Sequence, residues 1–207
     1  MTQVRGGIES NLSGKFGDMV FVQLNGKTYM RRAPRRKKES STPAMLLNQK
    51  RFAQVMQFCG QFKDTLIPQI WNSAALNTSG FRLFQKTNSP AFAKDGSLPD
   101  AKLLRLSIGK LPLPQGITAG KAEVGGTLIE VSWPVDQFLG GTRLQDELMV
   151  ISAGEGQYSE VTATGILRKN LNGSFELPEE PSGITHIYLF FESKDRKDYS
   201  ESICFEV

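Results

Sequence analysis

Two stretches rich in β-branched and aromatic residues lie on either side of Asn25-Gly26, over 17–24 and 27–32. A type I′ turn needs positive φ at both of its central residues, and Asn and Gly accept that conformation at low cost. The pattern therefore predicts a β-hairpin. An isolated hairpin is only marginally stable in water, so we expect one of its faces to pack on the segment that follows.

Between Pro43 and about Phe62, steps of three and four separate most of the apolar residues, which is the period of a helix. Thr42 and Pro43 are the residue types preferred at the N-cap and at the first helical position. Shorter helices are predicted at 68–76 and 81–86, and a strand at 101–108. The first half of the chain is thus predicted to be an α+β unit, a hairpin followed by helices.

The pattern changes after the proline-rich segment 111–116, which is incompatible with a helix. Asn172-Gly173 and 181–183 are predicted turns within the region that follows. Short stretches of strand-forming residues dominate that region, and such a density is typical of an all-β immunoglobulin-like sandwich, two antiparallel sheets packed face to face. The predicted strands are 127–133, 146–152, 159–167, 174–177, 185–192 and 201–207.

Charge divides the chain at the same place. Residues 1–110 contain 18 Lys and Arg against 6 Asp and Glu, whereas residues 111–207 contain 7 against 15. Such different compositions indicate units with different partners, so we predict a basic domain over 1–110 and an acidic domain over 117–207. The strand at 101–109 is compatible with either domain. The alternative is one continuous body in which the hairpin extends a sheet of the sandwich.

The second half resembles a fibronectin type III domain. Residues 127–134, in which Trp133 follows Val131 and Ser132, resemble an early strand of that fold, and 184–188 with 200–202 resemble its last two strands. The resemblance covers about 117–207. It implies a two-sheet sandwich of this type, which most often serves as a spacer or a binding module.

A second resemblance rests on six segments, 14–20, 25–27, 31–34, 43, 49–52 and 105–112. Together they resemble an uncharacterised family of bacterial proteins of about this length, common in gut Bacteroidetes, and the resemblance covers the whole chain. Because that family has no assigned activity, the resemblance implies no catalytic residues, but it is consistent with a two-part plan.

Six cations lie within residues 31–38, and this run is the strongest candidate binding site. It can neutralise several phosphates and give a salt-dependent affinity for DNA or RNA, and the adjacent tyrosine can stack on a base. A solvated linker, or a contact with an acidic protein surface, explains the same run without nucleic acid. The candidate residues are Tyr29, Arg31, Arg32, Arg35, Arg36, Lys37 and Lys38.

The remaining reactive side chains indicate structural roles. His186, the one histidine of the chain, lies in a strand pattern, and a single imidazole excludes a zinc site built from several. Cys59 and Cys204 lie among apolar residues, as buried small side chains do. Two cations separate the carboxylates in 195–198, which favours a solvated turn over a calcium loop. No catalytic residue, cofactor or metal site is predicted.

These patterns predict a non-enzymatic structural or protein-interaction protein that contacts a protein partner or a second copy of itself. The alternative is nucleic-acid binding through 31–38. A hydrolase acting through paired carboxylates is a third hypothesis, for which the sequence offers no pair. The sequence shows neither a secretory signal nor a membrane span of about 18 apolar residues. We therefore expect a cytoplasmic location, no membrane contact and no small-molecule substrate.

Overall fold

A computed structural model describes residues 2–4, 12–34, 42–123, 126–135, 141–177, 181 and 183–207. The chain forms two compact units, Met1–Ser41 and Thr42–Val207. The predicted boundary at 111–116 therefore falls inside the second unit, and the helices belong with the C-terminal strands rather than with the hairpin. The described residues form an α+β structure that is mostly strands, as expected, with three antiparallel sheets.

The N-terminal unit contains a four-stranded antiparallel sheet in the order β1-β4-β3-β2. The predicted hairpin is confirmed, with Asn25 at φ 52° and Gly26 at φ 71°. Two further short strands, which the sequence did not predict, pair with its outer edges. The strands are β1 (Thr2–Val4), β2 (Gly14–Phe16), β3 (Met19–Leu24) and β4 (Lys27–Arg32).

The predicted helices are confirmed. Helix α1 (Pro43–Gln61) begins where the sequence placed it, and the Thr42 hydroxyl accepts a hydrogen bond from the Met45 amide. A π-helical turn (Ile67–Trp71) continues into α2 (Asn72–Ala74). Helix α3 (Gly80–Asn88) begins after Ser79, whose hydroxyl accepts from the Arg82 amide. Single 3₁₀ turns occur at Ser89–Ala91, Ala101–Leu103, Gly141–Gln145 and Arg168–Asn170.

The predicted strand at 101–108 is wrong. After the 3₁₀ turn the segment is extended, but side chains satisfy much of its backbone instead of a neighbouring strand. The Asn88 side chain accepts from the Arg105 amide at 2.8 Å and donates to the Arg105 carbonyl at 3.0 Å. The Leu106 carbonyl accepts from Trp71 Nε1 at 2.8 Å, and its amide donates to the Ser202 hydroxyl.

Strands β5–β12 form two antiparallel sheets. One has three strands in the order β10-β6-β5; the other has five, in the order β12-β11-β7-β8 with β9 also paired to β7. The predicted Asn172-Gly173 turn is wrong, because both residues start β10 and the positive φ falls on Leu171 instead. The strands are β5 (Thr118–Lys121), β6 (Leu128–Ser132), β7 (Glu147–Gly154), β8 (Gln157–Tyr158), β9 (Thr162–Leu167), β10 (Asn172–Glu176), β11 (Ile184–Glu192) and β12 (Ile203–Glu206).

The five-stranded sheet is the middle layer of the second unit, and its two central strands are buried on both faces. On one face, Met149, Ile151, Tyr188 and Phe190 pack in one core with residues of the helices. On the other, side chains of β7 and β11 share a core with β6 and β10 of the three-stranded sheet. Residues from both sides of 111–116 thus form one core, which explains why the chain does not divide there.

A buried ion pair lies beside the second core. Arg168 Nε is 3.4 Å from Asp146 Oδ2, and each side chain is only 3 % exposed. The Arg168 guanidinium also donates to the Pro112 carbonyl at 2.8 Å and lies 4.0 Å from the centre of the Phe191 ring. Arg168 therefore connects the proline-rich segment, the end of β9 and the five-stranded sheet.

Candidate binding face of the N-terminal sheet

The register of the N-terminal sheet determines which side chains share a face. Residues directly opposite each other in an antiparallel pair lie on the same face, and alternate residues of one strand do so as well. Val22 lies opposite Tyr29, Leu24 opposite Lys27, and Val20 opposite both Arg31 and Lys15. One face, here called the cationic face, therefore presents Lys15, Val20, Val22, Leu24, Lys27, Tyr29 and Arg31.

Tyr29 lies at the centre of the cationic face. Lys27 and Arg31 are its neighbours on the same side of β4, each about 7 Å along the strand. Lys15 lies across the sheet, beside Val20. Among the described residues of this face none is an acid and none is buried. The face therefore combines a partly exposed aromatic ring, aliphatic side chains and three positive charges.

The opposite face is less basic. It presents Phe16, Met19, Phe21 and Met30, together with Arg32 as its one described cation. Thr28 on this face is 2 % exposed, whereas Phe16 is 76 % exposed. Two consecutive arginines therefore project to opposite sides of the sheet, because successive side chains of a strand alternate.

The structure brings together part of the predicted site. Tyr29 and Arg31 share the cationic face, whereas Arg32 lies on the other side. The other predicted cations, Arg35, Arg36, Lys37 and Lys38, lie outside the described residues. Sequence reasoning missed two cations of the face, Lys15 and Lys27. Lys27 could have been found, since the Asn-Gly turn sets the pairing with Leu24, but Lys15 depends on β2, which the sequence did not predict.

The predicted turn at 195–198 is stabilised by local hydrogen bonds. The Ser193 hydroxyl donates to Asp195 at 2.7 Å and accepts from the amides of Lys197 and Asp198. The bond from Ser193 lowers the pKa of Asp195. Within the described ranges, no group of three or more His, Cys, Asp or Glu side chains is placed to hold a metal ion.

His186 is half-buried in β11, and the register of that strand with β7 shifts just before it. Its Nδ1 lies 2.9 Å from the Thr185 hydroxyl. The structure therefore places His186 on a strand, where the sequence put it, with a neutral hydroxyl as its hydrogen-bonding neighbour.

A depression of about 510 Å³ brings carboxylates together that are distant in sequence. Three carboxylates line it, those of Asp146, Asp195 and Asp198, together with the cations of Arg143 and Lys194. Burial raises the pKa of Asp146, while the Arg168 cation opposes that rise. Because its carboxylate already forms a buried ion pair with Arg168, Asp146 has a structural role.

Both cysteines are free thiols; Cys59 is buried, as expected of a small apolar side chain, whereas Cys204 is half-buried. Burial raises the pKa of Cys59 and of Cys204 to about 11. At pH 8 roughly one thiol in a thousand is then ionised, so we expect native protein to react with iodoacetamide at least about 100-fold more slowly than urea-unfolded protein. Mass spectrometry of alkylated protein over time measures this ratio. Rapid native alkylation of Cys59, which is fully buried, would contradict the burial described here.

Comparisons with family models, with curated proteins and with solved structures give no match to this chain. Of the helices that the structure describes, none is both long and apolar enough to cross a membrane.

Proposed function

We propose that the protein is a non-enzymatic interaction protein that binds an acidic macromolecule through the cationic face. The observation that carries this proposal is the position of Tyr29 among Lys15, Lys27 and Arg31, on a face whose described residues include no acid. Complementary charge gives specificity and speeds association, so an acidic partner is the one this face favours.

The apolar side chains of the face add affinity that charge alone would not supply. An exposed ion pair contributes only about 0–1 kcal/mol. Leu24 is 55 % exposed, and Val20, Val22 and Tyr29 are partly exposed. A partner that covers them removes apolar surface from water, which stabilises the complex in addition to the ion pairs.

We propose that the C-terminal strands form a rigid support of fibronectin type III kind. The strands of the second unit can be counted in chain order, with β8 and β9 taken as one strand. The first, second and fifth (β5, β6 and β10) then form one sheet. The third, fourth, sixth and seventh (β7, β8 with β9, β11 and β12) form the other. That distribution supports the resemblance. Trp133, just after β6, supports it too: its ring packs edge-on against Phe191 at 5.3 Å, and its Nε1 donates to the Arg168 carbonyl. Membership of the uncharacterised Bacteroidetes family is part of the same proposal.

Several groups whose pKa is shifted have hydrogen-bond or ion-pair partners inside the protein, and these contacts support a non-enzymatic role. Tyr188 donates to the Ala101 carbonyl at 2.9 Å, where burial raises its pKa. Tyr199 donates to Glu192 at 2.9 Å, and burial raises its pKa to about 12. Asp146 is held by Arg168. Each of these groups has a structural partner within the second unit.

Two kinds of partner fit the cationic face. One is an acidic protein surface, including that of a second copy of this chain, which the sequence favoured. The second candidate is nucleic acid, which one observation favours: the partly exposed Tyr29 lies between Lys27 and Arg31 on one face of the sheet.

The proposal predicts that binding depends on one side of the sheet. A Lys15→Gln, Lys27→Gln, Arg31→Gln triple variant should lose most retention on heparin, an acidic polymer, because it removes the three cations of the face. The control Arg32→Gln removes a cation from the opposite face and should elute within a small salt difference of wild type. The salt concentration at elution measures the effect.

A third variant tests the neighbouring run, with Arg35, Arg36, Lys37 and Lys38 changed to Gln. If this variant alone loses retention while the triple variant elutes like wild type, the cationic face is not the binding surface. Light scattering after size-exclusion chromatography, at low and high salt, shows whether a second copy is a partner. Self-association through the face should weaken as salt rises and be absent in the triple variant.

A further inference from the structure

We infer that the acidic macromolecule is a single-stranded nucleic acid whose bases stack on Tyr29. This inference rests on the proposed function and names the partner of the same face. It also moves the binding site: the contact surface is the cationic face, with Lys15 and Lys27, rather than the linear run 31–38.

The first argument is the position of the aromatic ring. Tyr29 lies in the middle of β4, opposite Val22 of β3, and is partly exposed. Base stacking needs a ring whose face an unpaired base can reach, and sheet surfaces with such rings are a recurrent way to hold single strands. The bases of a duplex are already stacked on one another, so they would leave this ring without a partner.

The second argument is the distribution of charge around the ring. Lys27 and Arg31 lie on either side of Tyr29 along the strand, and Lys15 lies across the sheet. A base on the ring thus has cations along the strand in both directions, where the backbone of a bound strand would carry its phosphates. The aliphatic side chains of Val20 and Val22 lie on β3, between Lys15 on β2 and the cations on β4. An acidic protein surface would use the same cations but has no need of the ring.

The third argument is size. Strand β4 has six residues, and an extended strand of that size is about 20 Å long. A surface of this length suits a short segment of single strand, at the lower end of the roughly 4–16 nucleotides that one single-strand-binding domain holds. With three phosphate contacts, the slope of log K against log salt concentration for a single strand should be about −2. Between 50 and 200 mM salt that slope corresponds to a loss of affinity of roughly 20-fold.

The test uses the full chain and fluorescence anisotropy with a labelled 20-mer of deoxythymidine. Wild type should bind it with the salt slope given above. Tyr29→Leu keeps an apolar side chain but removes the ring, and should weaken binding at least about fivefold. Tyr29→Phe keeps the ring and should stay within about twofold of wild type. Lys27→Gln gives a readout independent of the ring and should reduce the slope by about 0.7.

Two competitors distinguish the possible partners: a 20-base-pair duplex, which carries about twice the charge of the single strand, and polyglutamate. Stronger binding of the single strand than of either competitor, lost with Tyr29→Leu and kept with Tyr29→Phe and Arg32→Gln, supports the inference. Equal binding of all three polyanions, unaffected by Tyr29→Leu, overturns the inference but leaves the proposed function intact. If none of the three binds, and heparin retention is also absent, both proposals are overturned.

Discussion

Replacing Arg168 with methionine is expected to destabilise the protein by about 3–5 kcal/mol, because it leaves the buried carboxylate of Asp146 without its cation. The two side chains are 3 % exposed, so water cannot replace the lost partner. The change also removes the hydrogen bond to the Pro112 carbonyl and the contact with the Phe191 ring. Urea unfolding followed by tryptophan fluorescence measures the difference in the free energy of unfolding.

The loss of stability in the Arg168→Met variant should depend on pH in a definite direction. Burial already raises the pKa of Asp146, and Arg168 opposes that rise. Without the cation the folded-state pKa rises further above the unfolded value, so the folded state of the variant binds the proton more readily. Stability of the variant therefore falls as pH increases from about 4. The difference in the free energy of unfolding between the variant and wild type should therefore become smaller as the pH is lowered toward 4.

A double variant, Asp146→Leu with Arg168→Met, separates the ion pair from its surroundings. Replacing both charges with apolar side chains of similar size removes the uncompensated charge. We therefore expect the double variant to recover at least half of the stability that Arg168→Met loses. A double variant as unstable as the sum of the two single variants would contradict this account of the pair.

Gly109→Ala is the second change with a large expected effect, a loss of about 3 kcal/mol or more. A Cβ atom at this position would overlap the carbonyl oxygen of Tyr199 and lie 2.7 Å from its carbonyl carbon. That oxygen accepts from the Leu111 amide at 3.0 Å. Tyr199 is itself buried and bonded to Glu192, so its backbone cannot move away cheaply.

Gly60→Ala is the matched control. Gly60 lies in α1, and outside its own helix turn no atom lies within 4 Å of the position that a Cβ would take. Because alanine is the better helix former, this change should stabilise the protein by about 0.5–1 kcal/mol. Thermal unfolding of both variants compares them directly. If Gly109→Ala unfolds within a degree or two of wild type, segment 106–111 does not pack on residues 199–202 as described.

Part of the candidate site could be predicted from the sequence. The Asn25-Gly26 turn sets the pairing of β3 with β4, and strand alternation then separates Arg31 from Arg32 and groups Tyr29 with Lys27. A linear count of the cations in 31–38 ignores this alternation and combines residues from both faces. Lys15 was beyond reach, because β2 is only three residues long and is defined by its pairing with β3.

The division into domains was predicted from charge, whereas the compact units of the structure are Met1–Ser41 and Thr42–Val207. Charge describes the surface, whereas compact units are defined by which apolar faces cover one another. The sequence contains one signal for the layers of the second unit. The continuous apolar run from Ile187 to Phe191 is typical of a strand buried on both faces, and such a strand needs a layer on each side.

The sequence by itself determined the local elements: the hairpin at Asn25-Gly26, the start of α1 at Thr42 and most strands of the second unit. Each depends on neighbours within a few residues, through turn conformation, capping or side-chain period. The tertiary structure alone decided that the helices pack on β7 and β11, that 104–109 is held by side chains instead of a strand, and that Arg168 meets Asp146. These features depend on contacts between residues far apart in the chain. Such contacts stabilise the protein only once the layers have packed together.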